Sequence, residues 1–114
     1  MDMDVTELEP GLIAVTLSGR LDIDGATAID LRFNAVTSSS RGVLVEMGGV
    51  TFLASIGIRT LLSGARTVRR RGGQFVLLQP NQEVTELLEV SGMLDYMPVF
   101  HDREEAMAKL VASG

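Results

Sequence analysis

The run Val43-Leu44-Val45-Glu46-Met47 constrains the fold more than any other stretch of the chain. Every position but Glu46 is aliphatic or β-branched, and a strand apolar on both alternating faces must be covered on both. Such a strand belongs in the middle of an α/β sheet. After Gly48-Gly49 the pattern changes. From Ser55 onward Ile58, Leu61, Leu62, Ala65 and Val68 recur at helical spacing, with Arg59, Ser63, Arg66 and Arg70 on the opposite side. The spacing predicts a strand-to-helix corner at Ser55, with the glycine pairs 48–49 and 72–73 read as a turn and a helix stop.

The remaining segments extend this alternation. Val5 to Glu9 and Leu12 to Ser18 read as a hairpin joined by Pro10-Gly11, with one face of the second strand toward the core and the other less buried. Ala26, Ile29, Phe33 and Val36 place a helix over 25–38, capped by Asp24. Gln74 to Gln79 reads as another buried strand. Pro80-Asn81 then starts a helix carrying Val84, Leu87 and Leu88, stopped at Gly92. Pro98-Val99-Phe100 suits an edge strand. Asp102 with Glu105 three residues on fits a capping box for a last helix whose Ala106, Leu110 and Val111 face inward. The expected fold is α/β: a mixed sheet with an antiparallel N-terminal hairpin and a parallel centre, packed with about four helices, in a single domain over 1–114.

Composition narrows the function classes. A formal net charge of −5 opposes non-specific binding to nucleic acid or to an acidic membrane. Four of the ten basic residues still cluster at Arg66, Arg69, Arg70 and Arg71. Two readings of that cluster stand: a solvated helix end complementing the C-terminal dipole, or a patch for docking a partner. With no cysteine there is no disulfide, thiolate nucleophile or Cys-based metal site; with no apolar run of membrane-spanning length and no signal-peptide pattern, a cytoplasmic location is expected.

Enzymatic chemistry finds little support. The one imidazole, His101, has no local tie to Ser55, and Leu53 stands where a Gly-x-Ser-x-Gly elbow needs its first glycine. Asp22, Asp24, Asp30 and Glu46 lack calcium-loop spacing, and no histidine pair offers a zinc site. No metal or cofactor is implied. Ser55 itself can cap the leading amides of its helix, and a phosphate there would meet the positive end of the dipole. Gly57 is a poor helix former, costing about 1 kcal/mol relative to Ala. Either close approach by another molecule or packing against the neighbouring strand explains it.

Several segments together resemble the STAS domain, in particular the bacterial anti-sigma-factor antagonists. Ser18-Gly19-Arg20-Leu21-Asp22 is similar to the family's Gly-x-Leu-Asp segment, and Val43 to Phe52 to its central strand and loop. Ala54-Ser55-Ile56-Gly57 falls on its Asp-Ser-Ser-Gly phosphorylation motif, with Ala54 and Ile56 replacing two polar residues; Ser91-Gly92-Met93-Leu94 matches its Ser-Gly-Leu pattern. The resemblance implies a non-enzymatic binding protein whose partner is both anti-sigma factor and serine kinase. That partner would phosphorylate Ser55, and a metal-dependent serine phosphatase would restore the hydroxyl. The partner-binding surface is expected to comprise Thr51, Ala54, Ser55, Ile56 and Gly57, joined by Arg59 and Ser63, one and two turns on along the polar face, and by Asp22, on a monomer or weak homodimer. Two alternatives stay open: a non-switching STAS scaffold module of a signalling assembly, or a domain sensing a small molecule such as a nucleotide or lipid.

Overall fold

A computed structural model describes residues 1–112. The elements run β1 (Asp2–Glu9), β2 (Leu12–Leu21), α1 (Ile23–Ser39), β3 (Gly42–Leu53), α2 (Ser55–Arg70), β4 (Phe75–Leu78), α3 (Gln82–Val90), β5 (Val99–Phe100) and α4 (Arg103–Val111). The strands form one five-stranded sheet in the order β1-β2-β3-β4-β5. β1 pairs with β2 antiparallel, and every later pairing is parallel. The mixed sheet read from the sequence is therefore the one observed, with four helices around it.

Side-chain alternation sorts the sheet into two unequal cores. Val15, Leu17, Val43, Val45, Phe75 and Leu77 face Ile29 and Phe33 of α1, Leu61 and Val68 of α2, and Leu88 of α3. On the reverse face Leu12, Ala14, Leu44, Val76 and Leu78 meet Ala106 and Leu110 of α4. Both faces of β2 are thus covered along its first half, where the alternation suggested one less buried side; α4 supplies the second cover. Glu46 shares that reverse face. Its carboxylate accepts from the Thr16 hydroxyl at 2.6 Å and pairs with Arg103 of α4, which explains how a charge is tolerated in the central strand.

β3 runs much further than Met47. Between the pairs Thr16↔Glu46 and Ser18↔Gly49, β2 advances two residues and β3 three; between Gly19↔Val50 and Arg20↔Phe52, β2 advances one and β3 two. Two bulges therefore lie on β3, and each resets which face a side chain meets. As a result Met47, Val50 and Leu53 are buried at a spacing of three while Gly48, Gly49, Thr51 and Phe52 are exposed. The expected turn at Gly48-Gly49 is in fact strand.

Helix ends bring further corrections. The cap of α1 is Asp22, whose carboxylate accepts from the Gly25 amide at 2.9 Å; Asp24 lies inside the first turn. Asn81 caps α3 through the Val84 amide at 2.8 Å, and Asp102 caps α4 through the Glu105 amide at 3.2 Å. Val111, expected to face inward, is exposed, as is Leu87, because α3 and α4 each bury a narrow stripe, Val84 with Leu88 and Ala106 with Leu110. No described helix is long and apolar enough to cross a membrane.

Candidate functional site at the start of α2

A single residue, Ala54, connects β3 to α2. Its amide donates to the Leu21 carbonyl at 3.0 Å, and its own carbonyl accepts from Ile58 at 3.1 Å, so the corner is tied both to the end of β2 and to the helix it starts. Ala54 is the N-cap, and it has no side chain with which to satisfy the first-turn amides. Ser55 is the first helical residue and does not cap the helix, contrary to the expectation from sequence. It is exposed, at the positive end of a 16-residue helix with no acidic residue in its first turn.

Gly57 fixes how closely this corner seats. A Cβ there would lie 2.6 Å from the Leu21 carbonyl oxygen and 2.9 Å from Leu53 Cδ1. The packing explanation of this glycine therefore suffices. Gly57 is buried, while Ala54 and Ile56 are half-buried and Thr51, Arg59 and Ser63 are exposed. Ser55, Arg59 and Ser63 follow at intervals of four along the open side of α2.

Asp22 begins α1 next to the Leu21 carbonyl that holds Ala54. Its carboxyl lies below its ordinary value of 3.8, chiefly because the Gly25 amide donates to the ionised form; burial opposes this, and the Arg20 guanidinium adds to it. Arg20 bonds Asp22 at 3.3 Å and lies over the Phe52 ring, 4.2 Å from its centroid. The acid, the cation and the aromatic thus link the ends of β2 and β3 beside the serine.

Two open clefts flank the corner. One lies between α1 and α2, lined by Thr27, Asp30 and Leu31 against Ile56 and Thr60. The other separates the end of β3 from α3, with Thr51, Phe52 and Leu53 facing Glu83, Val84 and Leu87. Exposed apolar side chains line them, Leu31 (87% exposed) in the first and Phe52 (41%) in the second, and Ile23, the first residue of α1, is 70% exposed. Sequence reading missed Arg20, Ile23, Leu31 and Phe52. Ile23 and Leu31 fall off the helical stripe that marks the core face of α1, which is the one available signal. His101 is exposed just past β5, and among the described residues no group of three or more His, Asp or Glu side chains could hold a metal ion.

Comparison with known proteins agrees with this architecture. The chain is 30% identical over 99 residues to BtrV of Bordetella bronchiseptica, a protein named as an anti-sigma factor antagonist, with 86% of this chain and 85% of the relative covered. The anti-sigma factor antagonist SpoIIAA shares the fold: its unphosphorylated structure superposes with a TM-score of 0.79 at 19% identity over 94% of each chain. A STAS domain protein from Planctomyces limnophilus superposes with a TM-score of 0.84 at 22% identity, covering 98% of this chain and all of the other. The STAS domain model itself matches residues 5–106, most of the described chain, and the protein belongs to the STAS domain family.

Proposed function

We propose that this protein is an anti-sigma factor antagonist that docks its partner at the α2 corner and is switched by phosphorylation of Ser55. The observation that carries the reading is the exposed Ser55 hydroxyl at the start of a helix whose cap residue, Ala54, offers no side chain. The name borne by BtrV supplies the class of partner. In this reading the unmodified corner binds an anti-sigma factor that is also a serine kinase. Ile56, Phe52, Ile23 and Leu31 provide apolar contact, and Asp22, Thr51, Arg59 and Ser63 the polar rim. Transfer of a phosphoryl group to Ser55 adds about −1.5 to −2 charges at the centre of that surface, and docking is lost through desolvation and repulsion. A metal-dependent serine phosphatase resets the switch. The fold need not rearrange, because Ser55 is exposed and the N-cap of α2 is Ala54, not the serine hydroxyl.

The test is incubation with the cognate kinase and ATP, followed by intact-mass measurement and localisation of the phosphate. One phosphate on Ser55, absent from Ser55→Ala, is the expected result; an unmodified protein, or modification elsewhere, overturns the switch. Ser55→Asp is expected to weaken partner binding by about 30-fold or more, since an unpaired charge buried at an interface costs ~2 kcal/mol or above.

A second reading, a constitutive scaffold contact, is favoured by one feature. Ala54 and Ile56 make the immediate surroundings of Ser55 apolar, and both are half-buried. It predicts that Ser55→Asp binds as tightly as the parent protein.

A further inference from the structure

The opposite end of α2 carries an unused set of cations. Arg66, Arg69 and Arg70 line an open groove whose other wall is Tyr96. Arg69 and Arg70 complement the C-terminal dipole of α2, a role that leaves their guanidinium groups open, and neither of two roles that would engage those groups within the fold applies. The first is closing the helix. The backbone does this itself: Gly72 has a φ of +82°, its amide donates to the Arg69 carbonyl at 3.0 Å, and the Gly73 amide donates to Val68 at 3.1 Å. The second is ion pairing. Among the described residues the ion pairs are Arg20–Asp22 and Arg103–Glu46, both outside the groove, although the chain holds 15 acidic residues against 10 basic. Arg70 makes only a long bond to the Thr67 hydroxyl of its own helix, at 3.5 Å.

Arg71, next in sequence, shows what a structurally engaged arginine looks like here. Its guanidinium donates to the Thr37 and Ser38 carbonyls at the end of α1, at 3.1 and 2.7 Å. Tyr96 is held in place from behind. Its amide donates to the Met93 carbonyl at 3.1 Å, and the neighbouring Met97 is fully buried in the core. The phenol ring therefore stands half-open beside the arginines on a fixed segment.

We propose that this groove docks a short acidic segment of a partner protein, with carboxylates held by Arg66, Arg69 and Arg70 and an apolar residue packed on Tyr96. Guanidinium forks match carboxylates in geometry as well as charge, and a tyrosine ring offers an apolar face with a polar tip. A short segment is favoured over a long polyanion. Nucleic acid or an anionic bilayer extends more than a Debye length of about 8–10 Å from the arginines, so its outer charges are screened from them and lie against the surface of a chain with net charge −5, whereas a few carboxylates within the groove stay close to the arginines. The groove lies roughly 20 Å from Ser55 along the axis of α2, at ~1.5 Å per residue. A partner held here leaves the Ser55 corner free.

Fluorescence anisotropy of a labelled oligoglutamate peptide ending in phenylalanine, titrated with the full chain at low and at physiological salt, tests this. Saturable binding that weakens with salt and is absent for the oligoglutamine counterpart is expected. Arg66→Ala with Arg69→Ala should weaken it by roughly tenfold or more, the scale of lost charge-assisted hydrogen bonds. Tyr96→Ala should weaken it less, and Ser55→Asp should leave it unchanged. Arg41→Ala together with Lys109→Ala removes the same charge away from both surfaces and controls for net charge. Equal weakening by that control, no binding at low salt, or tighter arginine-dependent binding of a DNA duplex or of phosphatidylserine vesicles overturns the proposal. Circular dichroism of each variant separates lost binding from lost fold.

Discussion

The two ends of α2 are built on opposite plans. At its start the cap residue has no functional side chain, the first turn carries no charge of either sign, and an exposed hydroxyl sits among half-buried apolar neighbours. At its end the backbone is closed by a left-handed glycine, and four arginines crowd the last turn and the residues beside it. Where the backbone closes the helix, side chains are released for other uses; where the start lacks a side-chain cap, polar backbone and hydroxyl stay available to a modifying group or a partner. Helix α1 sharpens the contrast, because its start is capped by Asp22 and that carboxylate is consequently committed.

The strongest test of this comparison is Gly57→Ala. Alanine favours a helix by about 1 kcal/mol, but the added methyl collides with the Leu21 carbonyl at 2.6 Å, and overpacking of this kind costs ~1–3 kcal/mol. A net loss of stability in urea unfolding is expected, and a stabilised variant would break the account of the corner as seated by this glycine. Next, Ala54→Asp gives α2 the carboxylate cap that α1 already has, and should add about 1 kcal/mol. No gain would mean that the first-turn amides are already satisfied.

At the other end the four arginines should separate into two kinds. Arg71→Ala removes two bonds to α1 carbonyls and is expected to cost about 0.5–1.5 kcal/mol, whereas Arg69→Ala should fall within ~0.5 kcal/mol of the parent. Equal losses would return Arg69 to a purely structural role. The smallest effect concerns acid. Because the Asp22 carboxyl titrates below its ordinary value in the folded state, its contribution is complete above the usual carboxylate range and is lost as pH falls through the lowered value. Asp22→Asn should keep the cap and flatten that acid limb, as read by urea midpoints across pH.

Much of the fold was legible because its signals are local. Asn81 and Asp102 declare their helices through side chains that reach amides three residues on, and Gly72 and Gly92 end helices with φ of +82° and +72°. A helix read as starting at about Gly25 takes Asp24 as its cap, whereas the helix starts at Ile23 and Asp22 is the residue that adopts the extended backbone of a cap. The candidate site was legible in part. Ser55, Thr51, Arg59 and Ser63 are exposed around the corner, but Gly57 proved buried, and the apolar and aromatic members Ile23, Leu31 and Phe52 were missed.

From its sequence alone this chain determines the order of its elements, the parallel centre of its sheet and the placing of a serine at the first turn of a helix. Each follows from the period of apolar residues or from turn chemistry, which act over a few neighbours. Tertiary structure decided the rest. The bulges that carry β3 through Gly48-Gly49 exist only relative to β2, the need for glycine at 57 comes from a carbonyl 36 positions earlier, and the division of the arginines depends on where the end of α1 and Tyr96 come to lie. Those are long-range contacts, and no local pattern encodes which residue stands on the other side.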